Sequence, residues 1–151
     1  MTHAGREPDT ASEGTSPLPH RIEALRGEHH LFVLDGPTPA GPFDALSEEE
    51  RQTMGRFRFA RDQHRYGATR MLVRTVLSRY LPIRPSQWRF TFNRYGKPSI
   101  DPSLLVPLPS PGRLRFNVSH TAGYIVCLVG LDLDCGVDAE RIVEMPDLMA
   151  V

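Results

Sequence analysis

The chain has 151 residues, 40% of them hydrophobic and 24% charged, which suits one globular domain or one lobe of a larger one. Its 18 Lys and Arg balance 18 Asp and Glu, so formal net charge is zero and no overall field favours nucleic acid or an anionic membrane. No apolar run approaches the roughly 18 residues of a spanning helix, and the N-terminus lacks an apolar signal core, so the expected compartment is the cytoplasm.

Residues 1–27, rich in Gly, Pro, Ser, Thr and charge, are expected to be a disordered tail. His30–Asp35 is a short apolar run closed by Gly36-Pro37 and reads as a strand, followed by a Pro/Gly loop over Thr38–Asp44. Ser47 ahead of Glu48-Glu49-Glu50 reads as an N-cap with a capping box, predicting a helix to about Phe59. Asp62 opens a longer helix to about Tyr80, ended by Leu81-Pro82. At 100° per residue, Ala68, Thr69, Leu72, Val73, Val76, Leu77 and Tyr80 share its apolar face. Arg70 and Arg74 fall on the opposite, solvated side, whereas Arg65 lies on the apolar side.

Further strands are expected at Trp88–Asn93, Leu114–Val118, Gly123–Gly130 and Gly136–Glu140. Tyr95–Pro98 and Ser119–Thr121 read as turns, Asp101–Gly112 as a Pro-rich surface loop, and Asp132–Cys135 as a connection. Phe57, Phe59, Tyr66, Phe90, Phe92 and Phe116 are expected in the core rather than on a base-stacking platform. Cys127 and Cys135 have neither metal-ligand spacing nor a disulfide framework and read as reduced core or strand residues.

Four features carry chemistry. Asp138 and Glu140, at i and i+2 on a strand, would share one face with Ala139 on the other. Two carboxylates on one face repel unless a cation lies between them, and hard oxygens suit Mg²⁺. Taken alone, the pair reads first as a solvated acidic edge. Lys97 is the single lysine among 18 cationic residues, set between Gly96 and Pro98 where the backbone can approach a phosphate, or simply an exposed turn lysine. Asn117, Ser119 and His120 can bond phosphate oxygens or close a turn; adjacent strand residues point apart, so Ser119-His120 is a poor nucleophile–base pair. Arg65 on an apolar face implies an anion beneath it, a carboxylate of the protein or a ligand phosphate. Seven arginines lie from Arg51 to Arg74, but neutrality and the lack of an aromatic RNA-binding strand argue against a nucleic-acid partner.

In order along the chain, LSEEERQTMGRFRFARDQHRY, RMLVRTVLSRYL, YGKP, FNVSHTAGYIVC and GVDAE resemble the Sfp-type 4'-phosphopantetheinyl transferases, over about Leu46–Glu140. No piece is specific alone; GKP, FNxSH and G-V-D-x-E within about 45 residues carry the resemblance. It implies an α+β fold, one lobe of a pseudo-dimer with an antiparallel sheet packed against a long helix. The expected domains are the tail 1–27, an N-terminal lobe 28–134, and 135–151 as the opening strand of a truncated C-terminal lobe. The implied reaction is Mg²⁺-dependent transfer of 4'-phosphopantetheine from coenzyme A to a serine of an acyl or peptidyl carrier protein. Implied coenzyme A contacts are Arg51, Arg56, Arg65, Gly96, Lys97, Pro98, Asn117, Ser119 and His120; implied metal-binding and catalytic acids are Asp138 and Glu140. Where the family often carries cations, this chain has Glu50 and Thr53, with Arg51 and Arg56 as neighbouring substitutes. The family's second-lobe W-x-x-K-E-x-x-x-K segment has no match, so the chain is expected to be incomplete as an enzyme. The alternative expectation is a non-catalytic module that binds coenzyme A or a carrier protein.

Overall fold

Strict alternation of exposed and half-buried residues makes His29–Asp35 a strand, β1, with one wet face. The computed structural model describes residues 25–39, 41–105 and 112–142. Most of the expected tail, 1–24, and the stretch 143–151 lie outside the described residues, as does 106–111 of the expected surface loop. Leu25, within the expected tail, is fully buried in the core cluster that includes Val73, Leu77 and Val129.

Helix α1, Glu48–Gly55, opens with the predicted capping box. The Ser47 hydroxyl accepts from Glu50 N–H, and Glu50 Oε2 accepts from Ser47 N–H. It ends four residues before the expected Phe59. Helix α2, Ala60–Leu77, follows. Gly67 in α2 lies against the Phe43 ring, where a Cβ would stand 2.8 Å from ring carbons. After Leu77 the chain tightens: Tyr80 N–H bonds to Leu77 O, and Ser78 Oγ donates to Arg74 O.

Strands β2, Phe90–Phe92, and β3, Pro98–Ile100, form an antiparallel hairpin, shorter than the expected run from Trp88 to Asn93. Strands β4, Leu114–Thr121, and β5, Tyr124–Leu131, form a second hairpin, with β1 on the far side of β5 in the order β1-β5-β4. Ser119–Thr121, expected as a turn, instead continues β4, with Ser119 opposite Val126 and His120 opposite Ile125. The turn falls at Ala122-Gly123 because Gly123 takes the positive φ, +86°, that the tight connection needs.

The inner sheet face, with Phe116, Cys127, Val129 and Leu131, packs on Val73, Val76, Leu77 and Tyr80 of the α2 region, the face the helical spacing predicts. Each such side chain contributes roughly 1.5–3 kcal/mol by leaving water. This is an α+β fold, an antiparallel sheet against one long helix. Among the described residues no helix is long and apolar enough to cross a membrane.

The placement of Arg74 on a solvated face is overturned. It is 1% exposed. Its Nε and Nη2 donate to Glu50 Oε2 at 3.1 and 2.7 Å, and its Nη1 donates to the carbonyls of Pro85 and Trp88 at 2.8 and 2.9 Å. Helical spacing could not foresee this, because the covering groups come from α1 and from the turn Pro85–Gln87. Arg70 is also drawn in, with Nε 3.9 Å from Glu50 Oε1 and its guanidinium over the Tyr66 and Phe92 rings. The core assignment of the aromatics holds for Phe116 but not for Phe57, Phe59 and Phe92, which are exposed. Arginines over Phe59 and Phe92 account for aromatics at the surface, since a ring face attracts a cation.

Removing one partner of a buried ion pair strands the other. Arg74→Ala should therefore lower unfolding stability by about 3–5 kcal/mol. Arg51→Ala, whose 3.8 Å pair with Glu48 is exposed, should stay within about 0.5 kcal/mol. Urea unfolding midpoints of the two variants check the contrast.

Candidate functional site

A cleft of about 460 Å³ opens between the N-terminal half of α2 and the edge formed by β3 and β4. Helix α2 contributes Asp62, Arg65, Tyr66, Thr69 and Arg70; β3 contributes Pro98; β4 contributes Val118, Ser119 and His120. Arg65, Pro98, Ser119 and His120, expected in one site from separate motifs, thus meet there. The anion implied beneath Arg65 is the Asp62 carboxylate, which accepts from Arg65 Nη2 at 2.9 Å. The Arg65 side chain stays 39% exposed, so its remaining donors face the cleft and solvent.

Lys97 lines the neighbouring cavity of about 390 Å³, which shares Pro98 with the first. Its turn is built by Asn93, whose Oδ1 accepts from the N–H groups of Tyr95 and Lys97, both at 2.9 Å. Gly96, at φ +78°, allows the chain to reverse there. The Lys97 ammonium donates to Cys135 O at 3.3 Å.

The expected strand Gly136–Glu140 is not one. Among the described residues this segment has no strand partner. Exposure alternates along it: Cys135 is buried, Val137 and Ala139 are half-buried, and Gly136, Asp138 and Glu140 are exposed. The N–H groups of Val137 and Ala139 donate to Asn117 Oδ1 at 3.0 Å and to Ser119 Oγ at 3.2 Å. Ser119 Oγ donates in turn to Asp138 Oδ1 at 2.9 Å. Side chains of β4 therefore do what a neighbouring strand's backbone would do. Asp138 sits one hydroxyl from the cleft, and Glu140 is exposed two residues further on.

Arg51 and Arg56 do not join this group. Arg51 pairs with Glu48, and Arg56 follows the end of α1 with its N–H on Thr53 O. Gly96 shapes the Lys97 turn rather than lining the cleft. Three residues escaped the sequence reasoning: Asp62, Arg70 and Asn93. Their signals were local, an acid three residues before Arg65, an arginine four residues after Tyr66, and an Asn three residues before Gly96.

A family model described as "4'-phosphopantetheinyl transferase, N-terminal" matches residues 41–130, from the approach to α1 almost to the end of β5. The chain belongs to the 4'-phosphopantetheinyl transferase family. The 4'-phosphopantetheinyl transferase HetI of Nostoc sp. is 28% identical over 136 residues, covering 87% of this chain and 55% of the relative. A 4'-phosphopantetheinyl transferase of Bacillus subtilis is 33% identical over 112 residues, 72% of this chain and 46% of the relative. The L-aminoadipate-semialdehyde dehydrogenase-phosphopantetheinyl transferase of Rattus norvegicus is 31% identical over 94 residues, 62% of this chain and 29% of the relative. The chain spans about half the length, or less, of these curated relatives.

Both cysteines are free and buried. Burial, and then the neighbouring Cys135, push the Cys127 thiol up to about 12. Burial also raises Cys135, against the pull of the Lys97 ammonium. A thiol that stays protonated when folded but ionises near its ordinary value when unfolded favours the unfolded state at high pH. The Cys127 contribution is therefore intact below about pH 9 and should be lost between there and about pH 12, by up to ~1.4 kcal/mol per unit. Cys127→Ala should flatten this slope in urea unfolding series at pH 8, 9 and 10; an unchanged slope would contradict the assignment.

Proposed function

We propose that this chain forms the coenzyme A-binding part of an enzyme that transfers the 4'-phosphopantetheine group from coenzyme A to a serine of an acyl or peptidyl carrier protein. One observation carries this reading: Arg65, Ser119 and His120 line a single cleft, and the Ser119 hydroxyl reaches Asp138. Donors for phosphate oxygens and an acid suited to a divalent cation thus lie on either side of one hydroxyl group.

The roles follow from chemistry. Arg65, its Nη2 already bonded to Asp62, keeps further N–H donors for a phosphate. His120 offers a ring N–H, and Lys97, across Pro98, adds a point charge at the neighbouring cavity. Asp138 and Glu140 are two exposed hard-oxygen donors on one side of an extended segment, a set that fits Mg²⁺, which commonly takes one or two carboxylates and completes its shell with water and phosphate. Among the described residues no cluster of three or more His, Cys, Asp or Glu is placed to hold a metal. When bound by the two carboxylates, the ion would neutralise charge on the coenzyme A pyrophosphate.

In the reaction the carrier serine oxygen forms a bond to the phosphorus bearing the pantetheine arm. The bond from that phosphorus to 3',5'-ADP breaks with its electron pair leaving on the ADP oxygen, and the serine proton passes to a general base or to solvent. Arg65, Lys97 and His120 hold the phosphates in line and stabilise charge on the departing ADP.

Isothermal titration of the chain with coenzyme A and Mg²⁺, beside a carrier-protein modification assay followed by mass, tests the proposal. Arg65→Ala and Lys97→Ala should each weaken coenzyme A binding about tenfold or more, the scale of one charge-assisted bond to phosphate, with little change in melting temperature. Equal affinity with a lowered melting temperature would make these residues structural. In a version extended to the length of the relatives, Asp138→Ala should cut transfer at least about 100-fold. Binding that survives in the chain without any transfer in the extended version would favour a non-catalytic module.

A further inference from the structure

Asn117 lies on the same face of β4 as Ser119, two residues away, and the N–H groups they receive, Val137 and Ala139, are also two residues apart. The matching period of two puts two side-chain clips in register with one extended segment. A third contact, Lys97 Nζ to Cys135 O, continues the same alternation. Position 135 is buried, 137 and 139 are half-buried, and 136, 138 and 140 are exposed. A slip of one residue would exchange the two sets and turn both carboxylates towards the sheet.

We propose that Asn117 is a positioning residue that pins this register, so that Asp138 and Glu140 stay exposed with Asp138 held at the Ser119 hydroxyl of the cleft; the functional part of this proposal rests on the carboxylate roles proposed above. Asn117 acts through the backbone of Val137 and does not touch the carboxylates. Ser119 combines the two tasks, accepting from Ala139 and donating to Asp138. The amide oxygen of Asn117 is thereby committed within the protein, while its amide N–H donors are the groups a coenzyme A phosphate would use.

Two buried thiols provide a test that needs neither coenzyme A nor metal nor carrier protein. Cys135 lies in the pinned segment and Cys127 in the sheet core, so peptide-resolved iodoacetamide alkylation of the 151-residue chain separates local release from global unfolding. Asn117→Ala should speed Cys135 alkylation about tenfold, the factor expected when one part-buried hydrogen bond is lost from an opening equilibrium, with Cys127 unchanged. Asn117→Asp keeps an acceptor for Val137 N–H and should restore protection. Unchanged Cys135 alkylation in Asn117→Ala, or equal loss of protection in the Asp variant, would overturn the proposal. Should Asn117→Ala expose both thiols, Ser119→Ala decides: selective exposure of Cys135 supports the clips, and a wild-type rate removes them. Coenzyme A titration of the same proteins keeps the outcomes apart, since failure to bind would sink the functional reading while leaving the thiol result standing.

Discussion

Arg74 is withdrawn almost completely from water, and a buried guanidinium must keep an opposite charge and acceptors for its N–H groups. Those partners come from three places: the carboxylate of Glu50 in α1, and the carbonyls of Pro85 and Trp88 beyond α2. One charge on α2 thereby ties down α1 and the turn leading into β2. Glu50 in turn completes the cap of α1 through Ser47. It stands where the family resemblance leads one to expect a cation, and the buried pair supplies a structural reason for an acid there. Arg70, one turn before Arg74, lies beside the same carboxylate and stacks between Tyr66 and Phe92, forming part of the cleft wall.

The opposite wall is made at a sheet edge, where backbone groups would otherwise lack partners. The β2–β3 hairpin, a separate two-stranded sheet whose turn is fixed by Asn93 and Gly96, adds Pro98 to that wall. The acidic segment is then fastened to β4 by side chains rather than by a backbone ladder. Such fastening costs no strand geometry and leaves alternate residues facing out. It also brings Lys97, Ser119 and Asp138, more than 40 residues apart at their extremes, into one contiguous hydrogen-bonded region.

Much of this was legible in the chain. The capping box at Ser47–Glu50, the apolar face of α2, the strands β1 and β5 and the α+β class all follow from local spacing, because caps and periodicity are local physics. The family was readable too, from the order of five short motifs. The Ser119–Thr121 turn was misplaced because strand continuation to Thr121 depends on pairing with β5, not on the residues themselves.

Sequence alone therefore determined the two helices, the strands β1 and β5 and which chemical groups are available. Tertiary structure decided which charges are buried, which are paired and which remain open. Arg74 and Arg65 show why. By helical angle Arg74 belonged outside and Arg65 inside, yet Arg74 is covered by residues from 11 to 24 positions away while Arg65 bonds to its own helix and faces a cleft. Helical angle sets only direction; what lies in that direction depends on the packing of distant segments. The same holds for the acidic segment, whose lack of a backbone partner and capture by Asn117 and Ser119 arise from where β4 happens to run.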